Sequence, residues 1–142
     1  MTRAIRIHEH GGPEALRWDE VDPGVPDVGQ ALIRQTAVGL NFIDVYHRTG
    51  LYPVPSMPAI IGSEGAGVVE AVGEGVTAVQ VGDRVAYSMS LGSYTERRVV
   101  EAHRLVTLPD SITDEQAAAM MLKGCTVQYL VRRIYPVKTG DT

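Results

Sequence analysis

Gly73-Glu74-Gly75-Val76-Thr77-Ala78-Val79-Gln80-Val81-Gly82-Asp83-Arg84-Val85 is the stretch on which the fold class turns. Its first six residues match the G-x-G-x-x-A form of the dinucleotide-binding fingerprint and follow an apolar run. That fingerprint holds a pyrophosphate only when a helix follows, because the helix N-terminus supplies the N–H groups and the positive dipole end. Here Gly82-Asp83 interrupts after a few residues, and Val79, Val81, Val85 and Tyr87 continue at the period of two that marks strands. There is no room for the helix. The stretch therefore reads as turn and strand in a β domain, and Asp83 as a turn residue bonding its own backbone.

Composition agrees. Fifteen glycines and eight prolines, most of them in the first two-thirds of the chain, suit many short strands and tight turns and do not suit a helical bundle. At 142 residues, 44 % hydrophobic and 21 % charged, the chain can bury one ordinary core. A net charge of −4 with scattered basic residues points to neither nucleic acid nor an anionic membrane as partner. No apolar run reaches transmembrane length, and Met1 to His8 alternates like a strand and lacks a signal-peptide core, so the cytoplasm is expected. Cys125 is alone, which excludes an internal disulfide and a cysteine-rich metal site.

Upstream, Gly62-Ser63-Glu64-Gly65-Ala66-Gly67 begins as tight backbone and runs into a strand, its glycines implying close main-chain approach. Glu64 among them reads as a carboxylate taking backbone N–H bonds. Arg3 to Ile7 and Leu16 to Glu20 form a hairpin about Gly11-Gly12-Pro13, with His8 and His10 as turn residues. Val21 to Gly29 is a loop, and Ala31 to Gly39 a strand that delivers the chain to Asn41-Phe42-Ile43-Asp44-Val45-Tyr46-His47-Arg48-Thr49-Gly50-Leu51-Tyr52. There Phe42, Val45, Tyr46 and Thr49 share a face at helical spacing. Asn41 suits the N-cap, Asp44 can reach back to it, and Gly50 suits the C′ position. This is the pattern of a capped amphipathic helix with two ordinary tyrosines, with a polar binding site at the helix start as the alternative. Leu51 to Pro58 must be extended, as a pocket wall or a plain connector.

Downstream, Thr113-Asp114-Glu115-Gln116 is a capping box. Ala117, Met120, Met121, Gly124, Val127, Leu130, Val131 and Ile134 then recur at helical spacing until Pro136. Gly124 suggests a close neighbour or a bend, and Lys123 beside it either snorkels to water or meets a ligand. Lys138-Thr139-Gly140-Asp141-Thr142 echoes Val81-Gly82-Asp83-Arg84, where Gly-Asp introduces a strand, so the end looks like a severed α/β unit.

His10 to Glu14, Gly39 to Asp44, Arg48 to Pro53, Gly62 to Gly67, Val81 to Val85 and Leu122 to Thr126, taken in order, resemble the zinc-independent quinone oxidoreductases of the medium-chain dehydrogenase/reductase superfamily, the group that includes zeta-crystallin. The resemblance covers the whole chain. It implies a mainly β (α+β) fold, a GroES-like β-barrel catalytic domain over residues 1–112. Residues 113–142 would then be a connecting helix and the start of a nucleotide-binding Rossmann domain that is missing here. It also implies that the chain is a fragment with little turnover of its own. Zinc-dependent relatives carry a Cys where Asn41 stands and a His where Ser63 stands, so no metal is expected. The family cofactor is NADPH, the substrate a small quinone, and the full-length protein a homodimer.

Carried over by position, Asn41, Asp44, Tyr46 and Tyr52 surround nicotinamide and quinone as the catalytic set. Phe42 and Ile43 pack beside the cofactor, and Lys123, Thr126 and Tyr129 meet it from the second helix. Gln128-Tyr129 departs from the expected aromatic pair. The alternatives are an enoyl or alkenal reductase on the same barrel, and a non-catalytic crystallin-like binding protein.

Overall fold

The computed structural model describes residues 1–141. β1 (Thr2–Ile7) pairs antiparallel with β2 (Leu16–Val21) across a turn containing the one-turn helix Pro13–Ala15. Its other edge takes β4 (Ala59–Ile60). A second, five-stranded sheet contains β3 (Gln30–Val38), β5 (Glu64–Val72), β6 (Arg84–Ser88), β7 (Arg97–Glu101) and β8 (Val106–Thr107). Its strand order is β7-β3-β5-β6-β8, antiparallel throughout. Residues 94–96 bridge the two sheets: the Ile5 N–H donates to the Tyr94 carbonyl (2.8 Å), Glu96 to Arg3 (2.9 Å) and Gln35 to Glu96 (2.8 Å). The result is the expected barrel.

The fingerprint-like stretch forms a turn and loop with no helix, its Gly73 N–H bonded to the Gln30 carbonyl at 2.8 Å. β6 starts at Arg84, so the strand is shorter than its valine spacing suggests, although Val79 still enters the core. Gly82 has φ +93°, and Asp83 accepts from the Gln80 N–H at 2.9 Å, the expected local turn. Residues 138–141 repeat that turn, with Gly140 at φ +96° and Asp141 accepting from the Lys138 N–H at 2.8 Å. A strand beginning at Thr142 falls outside the described residues.

The period of two in β5 and β6 sorts side chains between two cores. Val69, Val85 and Tyr87 point inward with Ile33, Val79 and Val100. Ala66 and Ala86 point outward and meet Ala117 and Ala118 of α2 (Asp114–Tyr129). Glu64 lies two residues before Ala66 and so shares the outward face, where the helix covers it completely (0 % exposed). Gly67 confirms the close approach read from its neighbours, since a Cβ there would lie 2.2 Å from the Arg34 carbonyl oxygen.

Both helices depart from their expected faces. α1 (Phe42–Thr49) is capped as read, with Gly50 at φ +84°, but its buried residue is Asp44, while Phe42 is 78 % exposed. The apolar stripe is thus largely outward, and the polar start of the helix faces the protein. In α2 the Thr113 and Gln116 box forms, with bonds of 3.0 and 3.2 Å. Asp114 ties that end to the barrel through Arg84 (2.6 Å) and Thr36 (2.5 Å). Beyond it only Ala117 and Ala118 are buried; Met120, Val127, Leu130, Val131 and Ile134 are exposed, and the helix widens into a π-type turn over Leu130–Ile134. Gly124 has no close neighbour either, because a Cβ there meets nothing within 4 Å.

Candidate functional site

Two buried carboxylates organise the start of α1. Asp44 (3 % exposed) accepts from the Asn41 N–H at 2.9 Å, from the Ser63 hydroxyl at 2.9 Å and from the Tyr94 hydroxyl at 3.0 Å. The first of these is the reach-back half of a capping box. Glu64 accepts from the Asn41 Nδ2 at 2.7 Å and, on its other oxygen, from the Leu122 N–H of α2 at 2.7 Å. Lys123 donates to Asn41 Oδ1 at 2.8 Å and lies 3.5 Å from Glu64 Oε1. The Asn41 amide, at the N-cap position of α1, is thus also engaged by Glu64 and Lys123. Lys123 both reaches water and joins the network, its side chain 58 % exposed.

The phenols stand on α1 and in the segment that follows it. Tyr46 and Tyr52 have ring centroids 5.2 Å apart, and the Phe42 ring lies 6.3 Å from Tyr46. The Tyr52 N–H donates to the Tyr46 carbonyl (3.1 Å), which holds the extended segment against the helix. Among the described residues neither phenol hydroxyl has a hydrogen-bond partner and neither is shut away from solvent, so both can donate to a ligand. Ile43 is half-buried between them and the Asn41 cluster in sequence. Thr126 bonds back to the Leu122 carbonyl (3.0 Å), and Tyr129 is exposed further along α2; neither is hydrogen-bonded to the cluster.

Ser63, Glu64 and Tyr94 complete the cluster and were not in the expected set of site residues. Glu64 does take a backbone N–H, as read, but from a helix 58 positions away. A polar pair inside a run of small residues was the available signal for Ser63 and Glu64. Tyr94 had none. A cleft of about 520 Å³, lined by Leu16, Trp18, Val38 and Leu40 among others, shares Tyr94 with the cluster and includes neither Tyr46 nor Tyr52.

Burial first, and the Asp44 carboxylate second, push the Tyr94 phenol above its ordinary range. Burial also raises Tyr87, partly offset by Arg98. An unfolded phenol releases its proton near pH ~10 while these native phenols still hold theirs. The unfolded state then binds fewer protons, so stability falls as pH rises. We expect stability to be insensitive to these groups below about pH 10 and to drop by up to about 1.4 kcal/mol per pH unit per phenol above it. Urea denaturation between about pH 8 and about pH 11 spans that onset, and Tyr94→Phe shallows the alkaline slope.

Among the described residues no group of three His, Cys, Asp or Glu side chains is placed to hold a metal ion. No helix among them is long and apolar enough to cross a membrane.

Residues 27–110 match the family model of the alcohol dehydrogenase GroES-like domain. A quinone oxidoreductase of Pseudomonas aeruginosa is 51 % identical over 100 % of this chain and 44 % of its own length. A 2-haloacrylate reductase of a Burkholderia species is 44 % identical over 99 % of this chain and 44 % of its own length. The crystal structure of Escherichia coli quinone oxidoreductase complexed with NADPH superposes with a TM-score of 0.93, at 45 % identity, over 96 % of this chain and 42 % of that one. The chain thus spans less than half the length of these relatives. A family match across more than half of the chain, on a barrel with this strand order and a polar helix start, settles the affiliation: these residues belong to the alcohol dehydrogenase GroES-like domain family.

Proposed function

We propose that this chain forms the acceptor side of an NADPH-dependent quinone reductase, acting beside a nicotinamide-binding domain. The supporting observation is the Tyr46 and Tyr52 pair, 5.2 Å apart with hydroxyls free to donate, on and just after the helix whose start carries the Asn41, Glu64 and Lys123 cluster. Phenols, an amide oxygen with a spare lone pair and a partly exposed ammonium suit a nicotinamide cofactor and a flat acceptor. NADPH, when bound, supplies the reducing electrons. Asn41 and Lys123 would hold its polar groups, Phe42 and Ile43 its flat face, and Thr126 and Tyr129 its far side.

Asp44 does not face outward; through Asn41, Ser63 and Tyr94 it keeps the helix start rigid. Tyr46 and Tyr52 would hydrogen-bond the quinone oxygens as negative charge develops there, and donors already in place need no reorganisation at that moment. Asn41 and Ser63 offer an amide and a hydroxyl, which are poor zinc ligands, so the reading is zinc-independent. It places the catalytic barrel at residues 1–112 and the connecting helix at 113–142, and includes a cytoplasmic homodimer.

The test is NADPH oxidation with 1,4-benzoquinone by the polypeptide carrying these residues and a nicotinamide-binding domain. Loss of one phenol donor removes roughly 1.4 kcal/mol or more from transition-state binding. Tyr46→Phe and Tyr52→Phe should therefore each lower kcat/KM by about 10-fold, and the pair by more. Unchanged turnover in the double variant rejects the assignment. An enoyl or alkenal reductase is the second reading, favoured by the similarity to the 2-haloacrylate reductase. A higher kcat/KM on an α,β-unsaturated acid or ketone than on the quinone would select it.

A further inference from the structure

Asn41 stands between two groups that can each hydrogen-bond in one sense only. Glu64 has donors at both carboxylate oxygens, Asn41 Nδ2 and Lys123 Nζ at one and the Leu122 N–H at the other, so it acts as an acceptor throughout. Lys123 is an ammonium and can only donate. An amide wedged between an acceptor at 2.7 Å and a donor at 2.8 Å has a single satisfied orientation, with Nδ2 inward and Oδ1 outward. Flipping it would set its oxygen against Glu64, which is fully buried, and its NH2 against Lys123.

We propose that Glu64 is a positioning residue that fixes Asn41 as an outward hydrogen-bond acceptor, so that Asn41 and Lys123 together read a ligand group that both donates and accepts. A hydroxyl or a primary carboxamide meets that demand, giving its proton to Asn41 Oδ1 and taking one from Lys123 Nζ. A phosphate or carboxylate satisfies Lys123 alone and brings a second oxygen against Oδ1. With the amide reversed, two donors would stand side by side and the preference would shift to anions. Glu64 thus selects the ligand class without touching the ligand. This rests on the reductase reading for the ligand's source, but the amide orientation does not.

An exchange of acid and amide between the two positions tests it. In Asn41→Asp the new carboxylate faces Glu64 at hydrogen-bond range and repels it. In Glu64→Gln one amide contact is mismatched, at Asn41 or at Leu122. Combining Asn41→Asp with Glu64→Gln restores the bonds at position 41 and at the Leu122 N–H, and gives up only the longer 3.5 Å contact of Lys123 with position 64. The introduced glutamine donates to the introduced aspartate and accepts from the Leu122 N–H, while the aspartate still accepts from Lys123. Thermal melting of the 142-residue chain should show each single variant lower by about 5 °C or more and the double variant recovering most of that loss. Additive losses in the double variant overturn the orientation.

In the polypeptide carrying a nicotinamide-binding domain, KM for NADPH should rise about tenfold or more in each single variant, about 1.4 kcal/mol of binding. The double variant should return to within about threefold of the parent. Melting recovered without KM recovered overturns the ligand-class assignment while leaving the orientation standing. A parent that oxidises no NADPH rejects the reductase reading, and the melting cycle still decides the role of Glu64.

Discussion

Replacing Asp44 by alanine should lower the melting midpoint by more than about 10 °C, the largest loss expected from any single truncation at the site. The side chain is small and contributes little apolar area. Its importance lies in its donors: the Asn41 N–H, the Ser63 hydroxyl and the Tyr94 hydroxyl all end on it, between 2.9 and 3.0 Å. Alanine leaves them buried without an acceptor, and each such group costs about 1–3 kcal/mol. Relaxation recovers part of the sum, and about 4 kcal/mol remains, a large share of a domain stability of about 5–15 kcal/mol. Asp44→Asn keeps one oxygen and should cost only about 1–2 kcal/mol. Thermal denaturation of the three proteins gives the comparison. A midpoint for the alanine variant within about 2 °C of the parent would show that water replaces the carboxylate freely.

Gly39→Ala should be nearly as severe, for the opposite reason. A Cβ at that position would lie 2.4 Å from the Ala118 carbonyl oxygen and 2.4 Å from Glu64 Oε1. Ordinary contacts lie near ~3.5–4.0 Å or slightly less for oxygen, an ångström or so further out. Neither neighbour can move away cheaply. Ala118 is helix backbone packed on Ala66 and Ala86, and Glu64 is held at both oxygens. The added methyl must lift α2 from the barrel or break the Glu64 bonds, at about 3 kcal/mol. Gly124→Ala is the internal control: it adds a methyl to α2 itself, where nothing stands within 4 Å. There the gain in helix propensity should stabilise the chain by up to about 1 kcal/mol. Differential scanning calorimetry should therefore move the two midpoints in opposite directions. A shared direction would mean that crowding at Gly39 is relieved elsewhere.

Much of this was legible in the sequence because it is governed locally. The caps at Asn41 and Thr113, the glycine after α1 and the Asp83 turn each depend on a few adjacent residues, and the structure keeps them. Rejecting the nucleotide fingerprint at Gly73 needed only the distance to Gly82. What stayed hidden depends on partners remote in the chain. The parity of β5 is hard to read across Gly65 and Gly67, which have no side chain to show which face is inside, so Glu64 could not be placed under α2. Tyr94 joins Asp44 across 50 positions with no periodicity to announce it. In α1 the helical stripe was real, but a buried acceptor with several donors outweighed Phe42 for the inward place. In α2 the repeat identified an apolar face without saying that most of it would find no cover in this chain.

The fastening of α2 has a mechanical consequence. Arg84 and Thr36 pin its first turn through Asp114, whereas its distal half touches little. A rod clamped at one end swings about the clamp, and Leu122 sits partway along it with its N–H on Glu64. A load on the far end of the rod would strain that link together with the neighbouring Lys123 bond to Asn41, and the tilt of the helix would be transmitted to the polarity of a single amide.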